Sequence, residues 1–204
     1  MTERDAIVRM IDTIIDERDN LKLSISILRN RHKRAADLFN MDHEQEAIQF
    51  IRDNATDEPV FVGFSGGKDS IVTADLMRKS GVKHTLYYSF TGIDAPEVVR
   101  FIRKNYPDCV FLKPRFTFWR DLSTNVPPSN RLRWCCTSLK KAPALQIKCS
   151  HRVMGIRAEE SYTRAKQGRI NEHWKEKKGF TDYQPIFYWK EWQIWEHIQK
   201  YDLR

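Results

Sequence analysis

A glycine-rich loop between a strand-like run and a helix-like run is the feature that most constrains the fold of this chain. The loop is Ser65-Gly66-Gly67-Lys68-Asp69-Ser70, and the apolar run Val60–Phe64 comes directly before it. That run is too short for a helix and is rich enough in β-branched residues to predict a buried strand. Apolar residues at helical spacing follow the loop and stop at Gly81, where glycine suits the left-handed turn that ends a helix. The sequence therefore predicts a strand, a loop and a helix in succession.

The loop has the chemistry of a phosphate site. Its first serine and its two glycines bring successive backbone N–H groups to a helix N-terminus, where the helix dipole favours an anion. Lys68 adds a mobile cation, and the two serines add hydroxyl donors. Asp69 can hold Mg²⁺ or cap the helix. The spacing is not that of a Walker A loop, and the alternative to a phosphate site is a tight turn between strand and helix.

Strand and helix patterns alternate along the rest of the chain. Further strands are predicted at residues 82–88, 109–112 and 152–156, and helices at residues 42–53, 94–102, 137–148 and 191–200. This alternation predicts a parallel sheet with right-handed crossovers and a ligand crevice at the carboxyl ends of the strands.

The N-terminal part of the chain has a different pattern. Between Ile7 and Leu38, apolar residues recur at spacings of three and four, which predicts a long amphipathic helix. Residues 1–40 therefore form a helical arm in this prediction, and residues 41–204 form the domain that carries the loop. The arm either joins two copies of the chain as a homodimer or packs on its own domain, and both alternatives stay open.

Composition excludes global disorder and leaves the kind of partner open. The chain has 204 residues, 41% of them hydrophobic and 12% aromatic, which suits one folded domain with an appendage. A formal charge of +8 favours polyanionic partners, either nucleic acid or nucleotide. No apolar run approaches the ~20 residues of a membrane span, and the N-terminus lacks a signal-peptide pattern, so we expect a cytoplasmic protein.

The loop resembles the signature of the PP-loop ATP pyrophosphatases, and other segments resemble the phosphoadenosine phosphosulfate reductase family within that superfamily. The matching segments follow the family's order at residues 91–97, 133–140, 155–164 and 184–195. The resemblance implies a three-layer α/β fold of the adenine nucleotide alpha-hydrolase-like type. Its sheet is mainly parallel and five-stranded, with helices on both faces.

The resemblance also implies which residues bind the nucleotide. In similar proteins the loop binds phosphates, the end of the second strand lies beside the adenosine, and the arginine of a Gly-Ile-Arg segment approaches the phosphates. By match, the implied catalytic residues are Lys68, Asp69 and Arg157. The implied nucleotide-binding residues are Phe64, Ser65, Gly66, Gly67, Lys68, Asp69, Ser70, Ser89, Thr91, Gly92, Gly155 and Arg157. The alternative for Arg157 is that it only pairs with a carboxylate.

Two adjacent cysteines, Cys135 and Cys136, are candidate reactive thiols or cluster ligands. Family members with this pair often carry a second Cys-x-x-Cys near the C-terminus, and the four thiolates hold an iron–sulfur cluster. Here Cys109 and Cys149 are single, and the sequence stops at Arg204, so we expect the family's C-terminal segment to be absent. Two thiols do not complete a four-thiolate site, so the sequence does not predict a cluster held by this chain alone.

Three functions are compatible with these patterns. The Lys68-Asp69 pair resembles members that cleave ATP between the α- and β-phosphates, so we expect Mg-ATP as ligand and adenylylation or sulfur activation of an unknown acceptor. The second function is reduction of phosphoadenosine phosphosulfate by thiols, with Cys136 as the candidate thiol. The third is a non-catalytic module in which nucleotide regulates binding of nucleic acid or protein through the basic, aromatic stretch at residues 164–178, unless that stretch is a solvated lid.

Overall fold

The structure is a computed structural model that describes residues 43–129, 131–172 and 179–203. The predicted helical arm at residues 1–40 and the homodimer contact through it lie outside these residues and stay predictions. The chain divides into two compact units, Met1–Glu46 and Ala47–Arg204. The second unit contains the whole sheet.

Helices and strands alternate as the sequence predicts. The helices are α1 (His43–Asp53), α2 (Lys68–Ser80), α3 (Pro96–Asn105), α4 (Phe118–Thr124), α5 (Ala142–Leu145), α6 (Tyr162–Ala165) and α7 (Glu191–Lys200). A π-helix, Cys136–Lys141, precedes α5, and a 3-10 helix, Ala158–Glu160, precedes α6. The strands are β1 (Val60–Phe64), β2 (His84–Ser89), β3 (Val110–Leu112), β4 (His151–Met154), β5 (Ile170–Glu172) and β6 (Thr181–Tyr183).

The strands form one sheet in the order β3-β2-β1-β4-β6-β5. Neighbours are parallel except β5, which pairs antiparallel with β6. The mainly parallel α/β fold is confirmed, and its five parallel strands match the expected number. The short strands β5 and β6 were not located from the sequence, because residues 170–172 and 181–183 carry no run of apolar residues. The strand order reverses between β1 and β4, and such a reversal opens a ligand crevice at the carboxyl ends of the strands.

The core lies on both faces of the sheet. Alternate residues of β1 point to opposite faces. Val62 packs with Leu76 of α2 and Ile194 of α7 in one buried cluster. On the opposite face the ring of Phe61 stacks on Tyr87, with ring centroids 4.5 Å apart. None of the helices in the described ranges is long and apolar enough to cross a membrane.

The prediction of one α-helix over residues 137–148 is wrong in the type of helix and in its length. The chain makes a π-helix over Cys136–Lys141 and then only the four residues of α5. Pro143 explains the interruption, because it has no backbone N–H to donate to the preceding turn. The first strand and the last helix have the predicted bounds. The helix after the loop ends at Gly81 as predicted, where φ is a left-handed 74°, but it begins at Lys68, inside the predicted loop.

A buried charge cluster joins α2 to α7. The carboxylate of Asp75, whose side chain is 3% exposed, accepts from His197 at 2.8 Å, Lys79 at 2.9 Å and Arg78 at 2.6 Å. Burial opposes the charge of Asp75, but these hydrogen bonds outweigh it and hold the pKa of the carboxyl far below its ordinary value. The cluster fixes the last helix against the helix that follows the loop.

The protein is expected to lose stability in acid because of Asp75. Its folded-state pKa lies below the ordinary value of 3.8, so the unfolded state binds more protons as the pH falls. The stabilisation is complete above about pH 5 and is lost as the pH falls through the unfolded and then the folded pKa. Urea unfolding at pH values from neutral to about 3 measures this loss.

Asp75→Asn should lose about 1–3 kcal/mol of stability at neutral pH, because the hydrogen bonds then join neutral rather than charged groups. The free energy of unfolding of the variant should also change less as the pH falls. Asp108→Asn, which replaces an exposed carboxylate, is the matched control and should behave as the unaltered protein. Equal acid dependence in Asp75→Asn and the unaltered protein would contradict the assignment.

Candidate functional site

The loop leaves the N-terminus of α2 open. Gly66 has a left-handed φ of 74°, and Gly67 is the extended N-cap residue with no side-chain cap. The first amide to bond inside the helix is that of Ile71, which donates to Gly67 O at 3.0 Å. Within the described ranges, the amides of Lys68, Asp69 and Ser70 donate to no protein acceptor. Three amides without a protein acceptor at the start of a 13-residue helix have the chemistry to bind an anion.

The two loop serines fix the shape of the loop. Ser70 Oγ donates to Gly67 O at 2.8 Å and accepts from the backbone N of Ser65 at 3.2 Å. Ser65 Oγ lies 3.1 Å from Ser70 Oγ and accepts from the amide of Gly67 at 3.3 Å. Both hydroxyls therefore have partners inside the loop and support its backbone.

Gly155 brings the end of β4 against the first turns of α2. A Cβ at this position would lie 2.8 Å from Thr73 Oγ1 and 2.9 Å from the backbone O of Asp69. Thr73 Oγ1 itself donates to that same oxygen at 2.8 Å, so neither atom has room to move. The close approach places Arg157, two residues further on, beside the loop.

Carboxylates hold Arg157 on two sides. Its Nε donates to Asp69 Oδ1 at 2.6 Å, and its Nη1 donates to Glu159 Oε2 at 2.9 Å. The side chain is 4% exposed. The carboxylate pairing considered from sequence therefore exists. Nη2 has no acceptor among the described residues, which leaves one donor for a ligand.

Lys68 is held less tightly than Arg157. Its Nζ lies 3.7 Å from Asp69 Oδ2 and 3.5 Å from Glu191 Oε1, both longer than a charge-assisted hydrogen bond of about 2.8 Å. The amide of Glu191 donates to Glu159 Oε2 at 2.9 Å, which brings the first turn of α7 to the site. Sequence reasoning missed Glu191, because an acidic residue in the first turn of a helix is ordinarily explained by the helix dipole.

Both carboxylate oxygens of Asp69, the predicted Mg²⁺ ligand, face cations in this arrangement. One carboxylate oxygen faces Arg157 and the other faces Lys68. Over the described ranges, no group of three or more His, Cys, Asp or Glu side chains could hold a metal ion. A Mg²⁺ contact from Asp69 stays a prediction and requires one of the two cations to release the carboxylate.

The end of β2 lies beside the loop, since Tyr88 is in register with Phe64 at the end of β1. The amide of Thr91 donates to Asp94 Oδ2 at 2.7 Å, and Gly92 has a φ of 80°, so the chain turns sharply here. Burial, and then the nearby carboxylate of Asp94, raise the pKa of Tyr88. The side chain of Phe64 is buried in the core, so this residue offers a ligand only its backbone.

The two adjacent cysteines lie on the same edge of the sheet. Cys136 opens the π-helix and accepts from Arg133 Nη2 at 3.6 Å, and the carbonyl of Lys140 in that helix accepts from Ser89 Oγ at 3.3 Å. Cys135 and Cys136 are both free and partly buried.

The other two cysteines lie apart from this pair. Burial raises the pKa of Cys109 to about 11, and Cys149 precedes β4 at the opposite edge. The described residues therefore do not bring four thiols together for an iron–sulfur cluster.

The predicted basic stretch is only partly described. Arg164 pairs with Glu160, Lys166 lies 4.3 Å from the ring centroid of Tyr162, and Arg169 donates to Pro185 O at 2.9 Å. Residues 173–178 lie outside the described ranges. These three cations make contacts within the chain, and a nucleic-acid partner stays a prediction.

The parallel sheet, the loop at its reversal point and the arginine beside it define a PP-loop α/β domain. The sequence profile of the phosphoadenosine phosphosulfate reductase domain matches residues 59–204, and the chain belongs to that family.

Two relatives are uncharacterized proteins of Methanocaldococcus jannaschii. One is 28% identical over 192 residues, covering 88% of this chain and 39% of the relative. The other is 30% identical over 152 residues, covering 69% of this chain and 36% of the relative. The chain thus spans 36–39% of the length of these curated relatives.

Gly155→Ala is expected to destabilise the protein by about 1–3 kcal/mol, because the new Cβ meets backbone and a bonded hydroxyl rather than a movable side chain. Gly63→Ala is the matched control, since its Cβ would meet the flexible end of Met154. Urea unfolding should rank the control clearly above Gly155→Ala. Equal stabilities would show that β4 does not pack tightly on α2.

Proposed function

We propose that the chain binds ATP, supplied as its Mg complex, and cleaves it at the α-phosphate, releasing pyrophosphate as it adenylylates or activates an acceptor. The observation that carries the proposal is the open N-terminus of α2, where the amides of residues 68–70 have no protein acceptor within the described ranges and Lys68 stands in the first turn. Backbone donors and a helix dipole suit a polyphosphate.

The chemistry in this proposal is electrostatic. Negative charge grows on the leaving pyrophosphate, and the free amides, Lys68 and Nη2 of Arg157 are donors fixed in place before the reaction. Lys68 can exchange its distant contacts with Asp69 and Glu191 for a phosphate oxygen at small cost. Asp69 orients Arg157 through their 2.6 Å contact. The Lys68-Asp69 pair supports ATP as the ligand, because it resembles the pair of the ATP-cleaving members of the superfamily.

The acceptor in this proposal belongs to sulfur metabolism or sulfur transfer. Membership of the phosphoadenosine phosphosulfate reductase family supports this assignment. None of the carboxylates and imidazoles described beside the loop stands free as a general base, so the acceptor would supply its own nucleophile.

Reduction of phosphoadenosine phosphosulfate is the second candidate. It is favoured by one observation, the position of the Cys135 and Cys136 thiols at the same edge of the sheet as the loop. In that reaction two thiols would supply two electrons, become a disulfide, and release sulfite from the nucleotide.

Lys68→Ala should lower pyrophosphate release from ATP at least about 100-fold without unfolding the protein, because it removes a cation from the growing charge. Initial rates of pyrophosphate formation and a circular dichroism melt measure the two effects. Lys104→Ala, which removes an exposed lysine of α3, is the control. Undiminished turnover in Lys68→Ala would refute the electrostatic mechanism.

Parallel incubation with Mg-ATP and with phosphoadenosine phosphosulfate should yield pyrophosphate from the first and no sulfite from the second. Mass spectrometry of the products decides between the two reactions. Cys136→Ser should leave pyrophosphate release intact. Sulfite that disappears in Cys136→Ser would establish the reductase instead.

A further inference from the structure

A cavity lies at the amino edge of the sheet, opposite the edge that carries the loop. Its volume is about 420 Å³, and its walls include Glu58, Lys148, Cys149, Ser150, Arg152 and Phe180. Most of these residues lie in the segments that lead into β1, β4 and β6, and Arg152 is the second residue of β4. Because the three strands are parallel, the cavity is separated from the loop by the length of the sheet. A ligand here would not touch the proposed ATP site.

Arg152 is the central side chain of this cavity and is 7% exposed. Its guanidinium carbon lies 4.8 Å from the ring centroid of Phe61 and 3.8 Å from that of Phe180. Nη2 donates to Ala144 O at 2.8 Å, and Nε donates to Cys149 Sγ at 3.3 Å. Two aromatic rings and two hydrogen bonds thus fix the plane of the guanidinium.

The guanidinium of Arg152 has no ion-pair partner among the described residues, although Glu58 lines the same cavity and Asp182 lies in register with Arg152 on β6. None of the described carboxylates forms an ion pair with Arg152. Its Nη1 has no acceptor among the described residues and is accessible rather than fully buried. A buried charge is ordinarily paired, because taking it out of water without a partner costs several kcal/mol. By contrast, the buried Arg157 at the carboxyl edge has two carboxylate partners.

We propose that this cavity binds a small anion, a carboxylate or an inorganic oxyanion, with Arg152 as its anchor. Nη1 would donate to one oxygen of the anion, and the exposed Lys148 supplies a second cation at the cavity wall. Glu58 stands on the exposed side, where its Oε2 accepts from Ser150 Oγ at 3.2 Å. This carboxylate restricts the ligand to one whose negative charge is confined to the Arg152 end.

Cys149 provides a built-in reporter of occupancy. Its sulfur lies 3.3 Å from Nε of Arg152, and Cys149 lines the same cavity, so an anion held in the cavity would hinder access of iodoacetamide to the thiol. The experiment measures the rate at which iodoacetamide alkylates Cys149, by peptide mass spectrometry, in rising concentrations of phosphate or acetate at constant ionic strength. We expect the rate at Cys149 to fall at least about threefold while the rate at Cys135 stays constant.

Variants connect the protection to the cavity. Arg152→Met keeps a flexible apolar chain between the two rings, and it should raise the anion concentration for half-protection at least about tenfold, the effect of losing a charge-assisted hydrogen bond. Lys148→Ala removes an exposed cation and leaves the core intact. It should raise the anion concentration for half-protection by a few fold. Lys141→Ala, at an exposed position outside the cavity, is the control and should change nothing.

Alkylation of Cys149 that is indifferent to both anions, or protection that survives in Lys148→Ala and Arg152→Met, would overturn the proposal. If Arg152→Met does not fold, Lys148→Ala decides alone. Lys68→Ala separates this site from the proposed ATP site, since protection of Cys149 should be unaffected by it. Protection by phosphate but not by acetate identifies a tetrahedral oxyanion as the ligand, and protection by both identifies any small anion with paired oxygens.

Discussion

The ion pair between Asp69 and Arg157 connects the two halves of the sheet at the point where the strand order reverses. Asp69 is in the first turn of the helix that follows β1, and Arg157 is in the segment that follows β4. The pair can form at 2.6 Å only because Gly155 lets that segment lie against the backbone of α2. The glycine, the carboxylate and the guanidinium are therefore one structural unit, although 88 residues separate the two charged groups in sequence.

The last helix completes the same unit from the other side. Glu159 accepts from Arg157 and from the amide of Glu191, and Glu191 in turn lies near Lys68. Further along the helices, the buried contact of His197 with Asp75 fixes α7 against α2. A change in the position of α7 would therefore alter the surroundings of Lys68 without any change in the loop itself. The environment of the loosely held ammonium thus depends on a helix more than 100 residues away.

Local patterns in the sequence predicted those parts of the fold that depend on local physics. The first strand, the stop of α2 at Gly81 and the last helix all lie where they were expected, because apolar spacing and glycine conformation determine them. The start of α2 at Lys68 lies inside the segment expected as loop. The loop was also recognisable, since its shape and its row of amides depend on consecutive residues. The strands β5 and β6 and the π-helix were missed, because pairing across the sheet and the missing amide of Pro143 override propensity there. The partners of the site residues could not be predicted either, because the contacts of Arg157 with Asp69 and of Glu191 with Lys68 depend on packing between distant elements, and such packing has no local signature.

The distribution of partners explains why a formal charge of +8 is by itself weak evidence about function. Arg157 is paired with carboxylates, and Arg169 lies 3.8 Å from the ring centroid of Phe50 and donates to a backbone carbonyl, so the net charge of these residues does not by itself indicate a polyanionic partner. The cations that bear on function are those without a hydrogen-bonded carboxylate partner among the described residues. Lys68 stands beyond hydrogen-bond distance from its carboxylates beside three free amides, and Arg152 is buried with no carboxylate paired to it among the described residues. Because these two groups lie at opposite edges of the same sheet, an anion at one edge would not compete directly with an anion at the other.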